Sequence, residues 1–224
     1  MYKCCIVQYG RTNPIRRYSI NAYELANRTC ERDLGVVFDN RLSFQSHIDY
    51  ITTKARRLVG LMLHSFSSRS ASVILPVYKT MIRPILEYAS SVWSPYLLKQ
   101  IKQLKSIQRY VTKRVHGCFS FTYSQRLSAL QLSSLLDRRA YFDLLEVYKI
   151  INGFSEASVQ VNFANSNTRG HSFRLYQCKF KLDIRKFALF VRVSNSWNKL
   201  PAEIAETKQL TLFKLRLRRH LQIT

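Results

Sequence analysis

"CERDLGVVFDNRLSFQSHI", residues 30–48, holds the point at which the chain changes period. Leu34, Val36 and Phe38 alternate with Gly35 and Val37, the period of two expected of a short strand. After Asp39-Asn40 the apolar residues Phe44, Ile48, Ile51, Ala55, Leu58 and Met62 recur at spacings of four, three, four, three and four. That heptad-like seam predicts a helix packed along another helix, with Ser43 as its N-cap. Asp33 and Asp39 bracket the strand. Two carboxylates so placed suit either a metal site or a charged strand entry followed by an Asp-Asn turn. At opposite ends of a strand of about five residues they stand ~16 Å apart, too far to share an ion unless the chain folds back.

Working outward, residues 4–38 read as β-rich, with "GRTNP" (10–14) as a turn cluster. "SFSSRSAS" (65–72) reads as a loop, and "VILPVYKTMIRPILEYASSVW" (73–93) as mostly helical, kinked at Pro84 and stopped by "SPY" (94–96). Residues 97–116 give the clearest helix, with Leu97, Ile101, Leu104, Ile107, Val111 and Val115 on one face. A further helix spans 133–151, capped by Ser133 or Ser134 and ended by Asn152-Gly153. The polar stretch 154–170 is the best candidate for a long loop, and 171–184 alternates like a hairpin or strand pair. Two last helices are expected at 186–199 and 209–222, the latter with Leu210, Phe213, Leu217 and Leu221 as its core face. The class is therefore mainly α with a small N-terminal β segment: a helical bundle followed by a C-terminal α+β region. The expected divisions are 1–40, 41–118 and 119–224.

Charge narrows the function. Among 224 residues, 36 Lys and Arg face 13 Asp and Glu, a formal net charge of +23. So basic a surface needs a polyanion, of which nucleic acid is the commonest; an anionic membrane surface and a merely solvated face are the weaker readings. On the 97–116 helix, Lys102, Lys105, Arg109 and Lys113 fall within an arc of roughly 80°, and no acid occurs in that stretch. Solvated faces usually mix both signs, so the stripe is expected to lie on phosphates. Lys54 and Arg57 flank the first helical seam, and Lys214, Arg216, Arg218 and Arg219 surround the last.

Other chemistry finds little support. No Gly-x-Ser-x-Gly elbow and no glycine-rich phosphate loop is present. The close acidic pairs, Glu31 with Asp33 and Glu203 with Glu206, suit structural roles, the second as the first turn of a helix. The five cysteines are scattered, and His116/Cys118 has no second half at zinc-finger spacing. Reduced thiols and a nuclear or cytoplasmic setting are expected, with no metal, cofactor or catalytic residue. Apolar runs such as "FALFV" (187–191) fall far short of the ~20 residues a bilayer needs, so no membrane partner is expected.

Seven stretches in order resemble a known family. "RRYSINAYELANRTCERDLGVVFDNRLSFQSHI" (16–48) is similar to the end of the palm and the start of the thumb in reverse transcriptases of non-LTR, LINE-type, jockey-like retrotransposons. "VYKTMIRPILEYASSVWSPY" (77–96), "IKQLKSIQRYVTKRV" (101–115), "RLSALQLSSLLDRRAYFDLLEVYKIING" (126–153), "RGHSFRL" (169–175), "RVSNSWNKLP" (192–201) and "LTLFKLRLRRHL" (210–221) follow in the order of the region downstream of that polymerase core. The resemblance implies a primer-grip remnant at Leu34, Gly35 and Val36, a thumb-like bundle, and a C-terminal helical region that helps to hold template RNA. It also implies a fragment: the family's metal-binding aspartate and Tyr-x-Asp-Asp turn have no counterpart here. The expected function is non-catalytic binding of RNA or DNA, as a template-primer duplex or element RNA. The alternatives are a helical module that completes a polymerase or ribonucleoprotein in trans, and a decayed, truncated product.

Overall fold

A computed structural model of the chain describes residues 4–10, 13–14, 16–156, 159–164 and 170–223. The architecture is mainly helical, with a small N-terminal β region and helices gathered into bundles. Among the described residues, three two-stranded sheets make up the β region. β1 (Cys5–Val7) runs parallel to β4 (Ala26–Arg28), β2 (Ser19–Ile20) pairs antiparallel with β3 (Tyr23–Glu24), and β5 (Cys30–Asp33) pairs antiparallel with β6 (Val36–Asp39).

The last pair corrects the single strand expected over 34–38. Leu34 (φ 44°) and Gly35 (φ 87°) are the two central residues of a tight turn. Two positive φ values in succession give the type I′ geometry, whose twist matches a hairpin. The chain therefore does fold back between Asp33 and Asp39, yet the two carboxylates stay apart. Asp33 pairs with Val36 at the turn and Asp39 with Cys30 at the open end, three ladder steps or ~10 Å away.

Asp39 has a different task. Its carboxylate accepts hydrogen bonds from the backbone N–H of Arg41 (3.0 Å), Ser43 (3.1 Å) and Phe44 (2.8 Å) and from the Ser43 hydroxyl (3.1 Å). These donors precede the first helix, α1 (Gln45–Ser65), so Asp39 shapes the entry and holds Phe44, the residue at the N-cap position, at φ 54°, while the Ser43 hydroxyl accepts from the Gln45 N–H at 3.4 Å. Along α1, Ile48, Ile51, Ala55 and Met62 are buried as the seam predicts, and Val59 joins them.

Helix α2 (Ala71–Val77) passes through a π-helical turn (Tyr78–Ile82) into α3 (Arg83–Glu87). Pro76 and Pro84 flank that turn, and the carbonyl that Pro84 cannot bond, that of Thr80, lies within it. The change of direction expected at Pro84 falls later, at Tyr88–Ala89, where Ala89 takes φ 51° before the short α4 (Ser90–Trp93). α5 (Leu98–Lys113), α6 (Tyr123–Ala129), α7 (Leu135–Ile151), α8 (Asp183–Lys186), α9 (Leu189–Asn198), α10 (Ala202–Ala205) and α11 (Leu210–His220) complete the chain. Ser134 caps α7, its hydroxyl accepting from the Asp137 N–H at 3.1 Å. Part of the 154–170 loop lies outside the described residues. The alternation over 171–184 builds no hairpin: Leu175 alone bridges, to Phe163, and α8 begins at Asp183. Glu203 is in the first turn of α10 as expected, but Glu206 follows that helix and accepts from the backbone and hydroxyl of Ser172.

The core forms two clusters. The first gathers β6, α1 to α5 and the start of α7 around Ile48, Tyr78, Trp93, Leu104 and Val111. The second gathers the rest of α7 with α9, α10 and α11 around Tyr148, Trp197, Phe213 and Leu217. α7 thus contributes to both. Two largely buried ion pairs reinforce the junction, Arg138 with Glu87 and Arg192 with Asp143.

Candidate nucleic-acid interface

α5 shows how this chain aims a row of charge. Leu104, Ile107 and Val111 are buried in the first cluster, which points one face of the helix inward. Lys102, Lys105, Arg109 and Lys113 are all exposed on the opposite face. From first to last they span 11 residues, about 16 Å of helix. No Asp or Glu occurs between Glu87 and Asp137 in the sequence. None of the four stripe residues forms an ion pair among the described residues. Their charge is therefore available to an outside anion.

An aromatic ring organises the stripe from below. Tyr123, in the first turn of α6, lies 4.8 Å from the Lys105 ammonium and 5.8 Å from the Arg109 guanidinium, with Arg126 at 6.0 Å. Its hydroxyl donates to Gln108 Oε1 at 2.7 Å, which fixes the ring against α5. Burial pushes the phenol up to about 12, so it stays neutral and keeps donating at any physiological pH. Farther along, the Lys113 ammonium lies 4.8 Å from the Phe119 ring centre and the Arg114 guanidinium 4.8 Å from that of Tyr110.

The other basic residues singled out in the sequence are dispersed. Lys54 and Arg57 are exposed on α1. The side of α1 that meets α5 carries Asp49 and Thr52, both bonded by Gln103, and Arg56 follows on that side. Lys54 is about 160° round from Arg56 and Arg57 about 100°. It is Arg56 that lines the α1–α5 groove with Ser106 and Tyr110, a residue the stripe pattern does not pick out. On α11, Arg216 is half-buried and donates to the Glu203 carbonyl and to Thr207 Oγ1. Arg218 lies over the Tyr141 ring at 5.6 Å, Lys214 is half-buried and Arg219 is exposed. These four belong to the second cluster and do not extend the α5 stripe along one helix.

The three residues of the hairpin turn have unlike environments. Leu34 is 85% exposed, while Val36 is buried in the first cluster. The Tyr88 hydroxyl donates to the Leu34 carbonyl at 2.9 Å, and a Cβ at Gly35 would come 3.2 Å from the Tyr88 ring. A side chain there would also be strained by the positive φ, so glycine serves both the turn and the close approach of Tyr88. At the other side of the hairpin, Val37 N–H donates to His47 Nδ1 at 3.2 Å, and the His47 ring meets Trp93 edge-on at 5.0 Å. Burial pushes the His47 imidazole down to about 4, which keeps Nδ1 free to accept.

Among the described residues no three His, Cys, Asp or Glu side chains are grouped as metal ligands would be. Nor is any described helix long and apolar enough to cross a membrane.

No family model matches the chain, and no solved structure matches it. An uncharacterized protein of Caenorhabditis elegans is 26% identical over 124 residues, covering 54% of this chain and 63% of that protein. The Drosophila melanogaster protein named "Probable RNA-directed DNA polymerase from transposon X-element" is 31% identical over 125 residues, covering 52% of this chain and 14% of that protein. The chain spans less than two thirds of either relative, and about half of it is distantly related to a retrotransposon-type polymerase.

Proposed function

We propose that the chain is a nucleic-acid-binding module, the counterpart of the thumb and downstream region of a non-LTR retrotransposon RNA-directed DNA polymerase, and that it is not catalytic by itself. The observation that carries this reading is the α5 face: four exposed cations within ~16 Å, unpaired by any described acid and steadied from below by Tyr123. The partial likeness to a transposon polymerase supports the same class of partner. The ligand is the phosphate backbone of a template-primer duplex or of element RNA. Lys54, Arg57 and the α11 cations add to the basic field around it.

Salt-dependent binding tests this. Each phosphate contact on a duplex releases condensed counterion and adds about −0.9 to the slope of log affinity against log salt, so four contacts contribute about −3.6. Replacing Lys102, Lys105, Arg109 and Lys113 together by Gln is expected to flatten the slope by that amount on unrelated sequences alike, because phosphates carry no sequence information. Circular dichroism is expected to be unchanged, since all four side chains are exposed. An unaltered slope in the quadruple variant would remove α5 from the interface. The same wild-type preparation is expected to give no template-dependent primer extension with Mg²⁺ or Mn²⁺, and sustained incorporation would overturn the non-catalytic reading.

A further inference from the structure

Phe119 is 75% exposed, the most exposed phenylalanine among the described residues. A phenyl group left in water forgoes the stabilisation that burial would return. The loop that presents it is nevertheless anchored on both sides. Cys118 just before it is buried, with its N–H bonded to the Val115 carbonyl at 3.1 Å. Phe121, two residues on, has its carbonyl held by the Arg126 guanidinium, and Arg126 is itself buried. The ring therefore stands on a short loop that is tied down on either side of Phe119 and Ser120.

Its surroundings are all of one sign. Lys113, the last cation of the α5 stripe, lies 4.8 Å from the ring centre, so Phe119 sits at the C-terminal end of the row of charge. Arg114, at the end of α5, is exposed as well, and Phe121 offers a second ring that is 41% exposed. Protein interfaces are depleted in lysine at their cores, which argues against an apolar protein partner. A cationic groove that ends on open aromatic faces is the arrangement by which unpaired bases are held: the backbone follows the charges and the bases stack on the rings. In a duplex the bases already stack on one another and have no face to give.

We infer that Phe119, assisted by Phe121, is a stacking platform for unpaired bases, so that the strand lying on α5 is single-stranded where it leaves the helix at Lys113. This rests on the reading of α5 as a phosphate-binding face, and adds that the preferred ligand is a single strand, or a duplex with an unpaired extension, rather than a blunt duplex.

The test compares a fluorescently labelled oligo(U) with a blunt RNA duplex of equal length, binding the wild type, Phe119→Ala, Phe119→Leu and Phe119→Trp. Phe119→Ala is expected to weaken oligo(U) binding by about tenfold, the loss of one stacked base, and duplex binding by less than about twofold. Phe119→Leu, which keeps apolar bulk without a π face, should match Ala. Phe119→Trp should restore affinity, and its exposed indole should be quenched by oligo(U) and not by duplex; the two native tryptophans, Trp93 and Trp197, are buried. An unchanged oligo(U) affinity in Phe119→Ala, or an equal loss on both ligands, would overturn the platform while leaving the salt-dependent α5 interface standing. A wild type with no salt-dependent binding to either RNA would overturn both.

Discussion

The joint between the two core clusters offers the most demanding check of the fold. Arg192 on α9 donates to both oxygens of Asp143 on α7, Nε to Oδ2 at 2.9 Å and Nη2 to Oδ1 at 2.8 Å. Nη2 also donates to the Ser91 carbonyl at 2.6 Å and Nη1 to the Phe187 carbonyl at 2.8 Å. One guanidinium thus ties α7, α9, α4 and the end of α8. Burial raises the Asp143 carboxyl above its usual range, while the bonds and charge of Arg192, and the charge of Arg139, pull it back. Replacing Arg192 by Met strands a buried carboxylate, which typically costs about 3–5 kcal/mol. Arg139 is buried beside Asp143 and keeps the loss near the lower end, about 3 kcal/mol. Adding Asp143→Leu would strand the buried Arg139 in turn, so the double variant should regain little. In a chain of this size Arg192→Met should melt roughly 10 °C below the wild type.

The pH dependence has a definite sign. Without Arg192 the folded-state pKa of Asp143 rises further above its unfolded value. A raised pKa gives stability that is fully present below the unfolded value and is lost as pH rises through the folded one. The deficit of Arg192→Met should therefore be largest near neutral pH and shrink as pH falls toward the unfolded carboxyl value of about 3.9. Thermal melts followed by circular dichroism across that range would measure it. A deficit independent of pH would refute the account of a buried, coupled pair.

Two further outcomes follow from the way the hairpin docks. With its imidazole held down to about 4, His47 contributes stability that is present above its unfolded pKa of about 6.5 and is lost as pH falls toward the folded value; an NMR titration of the His47 ring with a midpoint near 6.5 would contradict its burial under Trp93. Tyr88→Phe removes the bond to the Leu34 carbonyl, worth about 0.5–1.5 kcal/mol, and should speed amide exchange at the β5–β6 turn with little change in global melting; unchanged exchange would mean that Tyr88 does not hold the turn.

Much of this was legible in the sequence, for reasons that differ by element. α5, α7 and α11 carry long apolar periodicity, so their existence and inward faces could be read directly. The hairpin could not: Leu34 is a poor turn residue, and it takes φ 44° because Gly35 follows and Tyr88, far along the chain, holds its carbonyl. α6 has only seven residues, but its Thr122-x-x-Gln125 capping box marks its start in the sequence. Over 171–184, the alternation suggested a ladder, of which the described residues show one bridge, Phe163 with Leu175. Side chains from 197–206 satisfy much of the backbone beside it: Trp197 Nε1 donates to the Phe173 carbonyl at 2.7 Å, Asn198 brackets Leu175 with two bonds, and Glu206 accepts from Ser172. Such partners lie outside any local window. For the same reason the cations of the stripe were visible and the rings beside them were not, since Tyr123 and Phe119 reach α5 from segments that follow it.

What aims the stripe is the polar part of the buried surface. Apolar contacts are non-directional, so Leu104, Ile107 and Val111 alone would let α5 roll through some tens of degrees at modest cost. The amides do not. Gln100 donates to the Ser43 carbonyl (3.1 Å) and Gln45 (3.2 Å), and Gln103 to Asp49 (2.8 Å) and Thr52 (2.9 Å). Gln108 donates to the Ser133 carbonyl (3.0 Å) while accepting from Tyr123. On the helical wheel Gln103 and Gln108 stand about 140° apart, with Gln100 between them, so the three bracket the apolar face and engage different neighbours on either side of it. Rolling the helix by one residue would leave all three without partners, at about 1–3 kcal/mol each, and would carry part of the basic row toward the core. The groups that make the interior of the first cluster unusually polar are thus the ones that fix the direction in which Lys102, Lys105, Arg109 and Lys113 face.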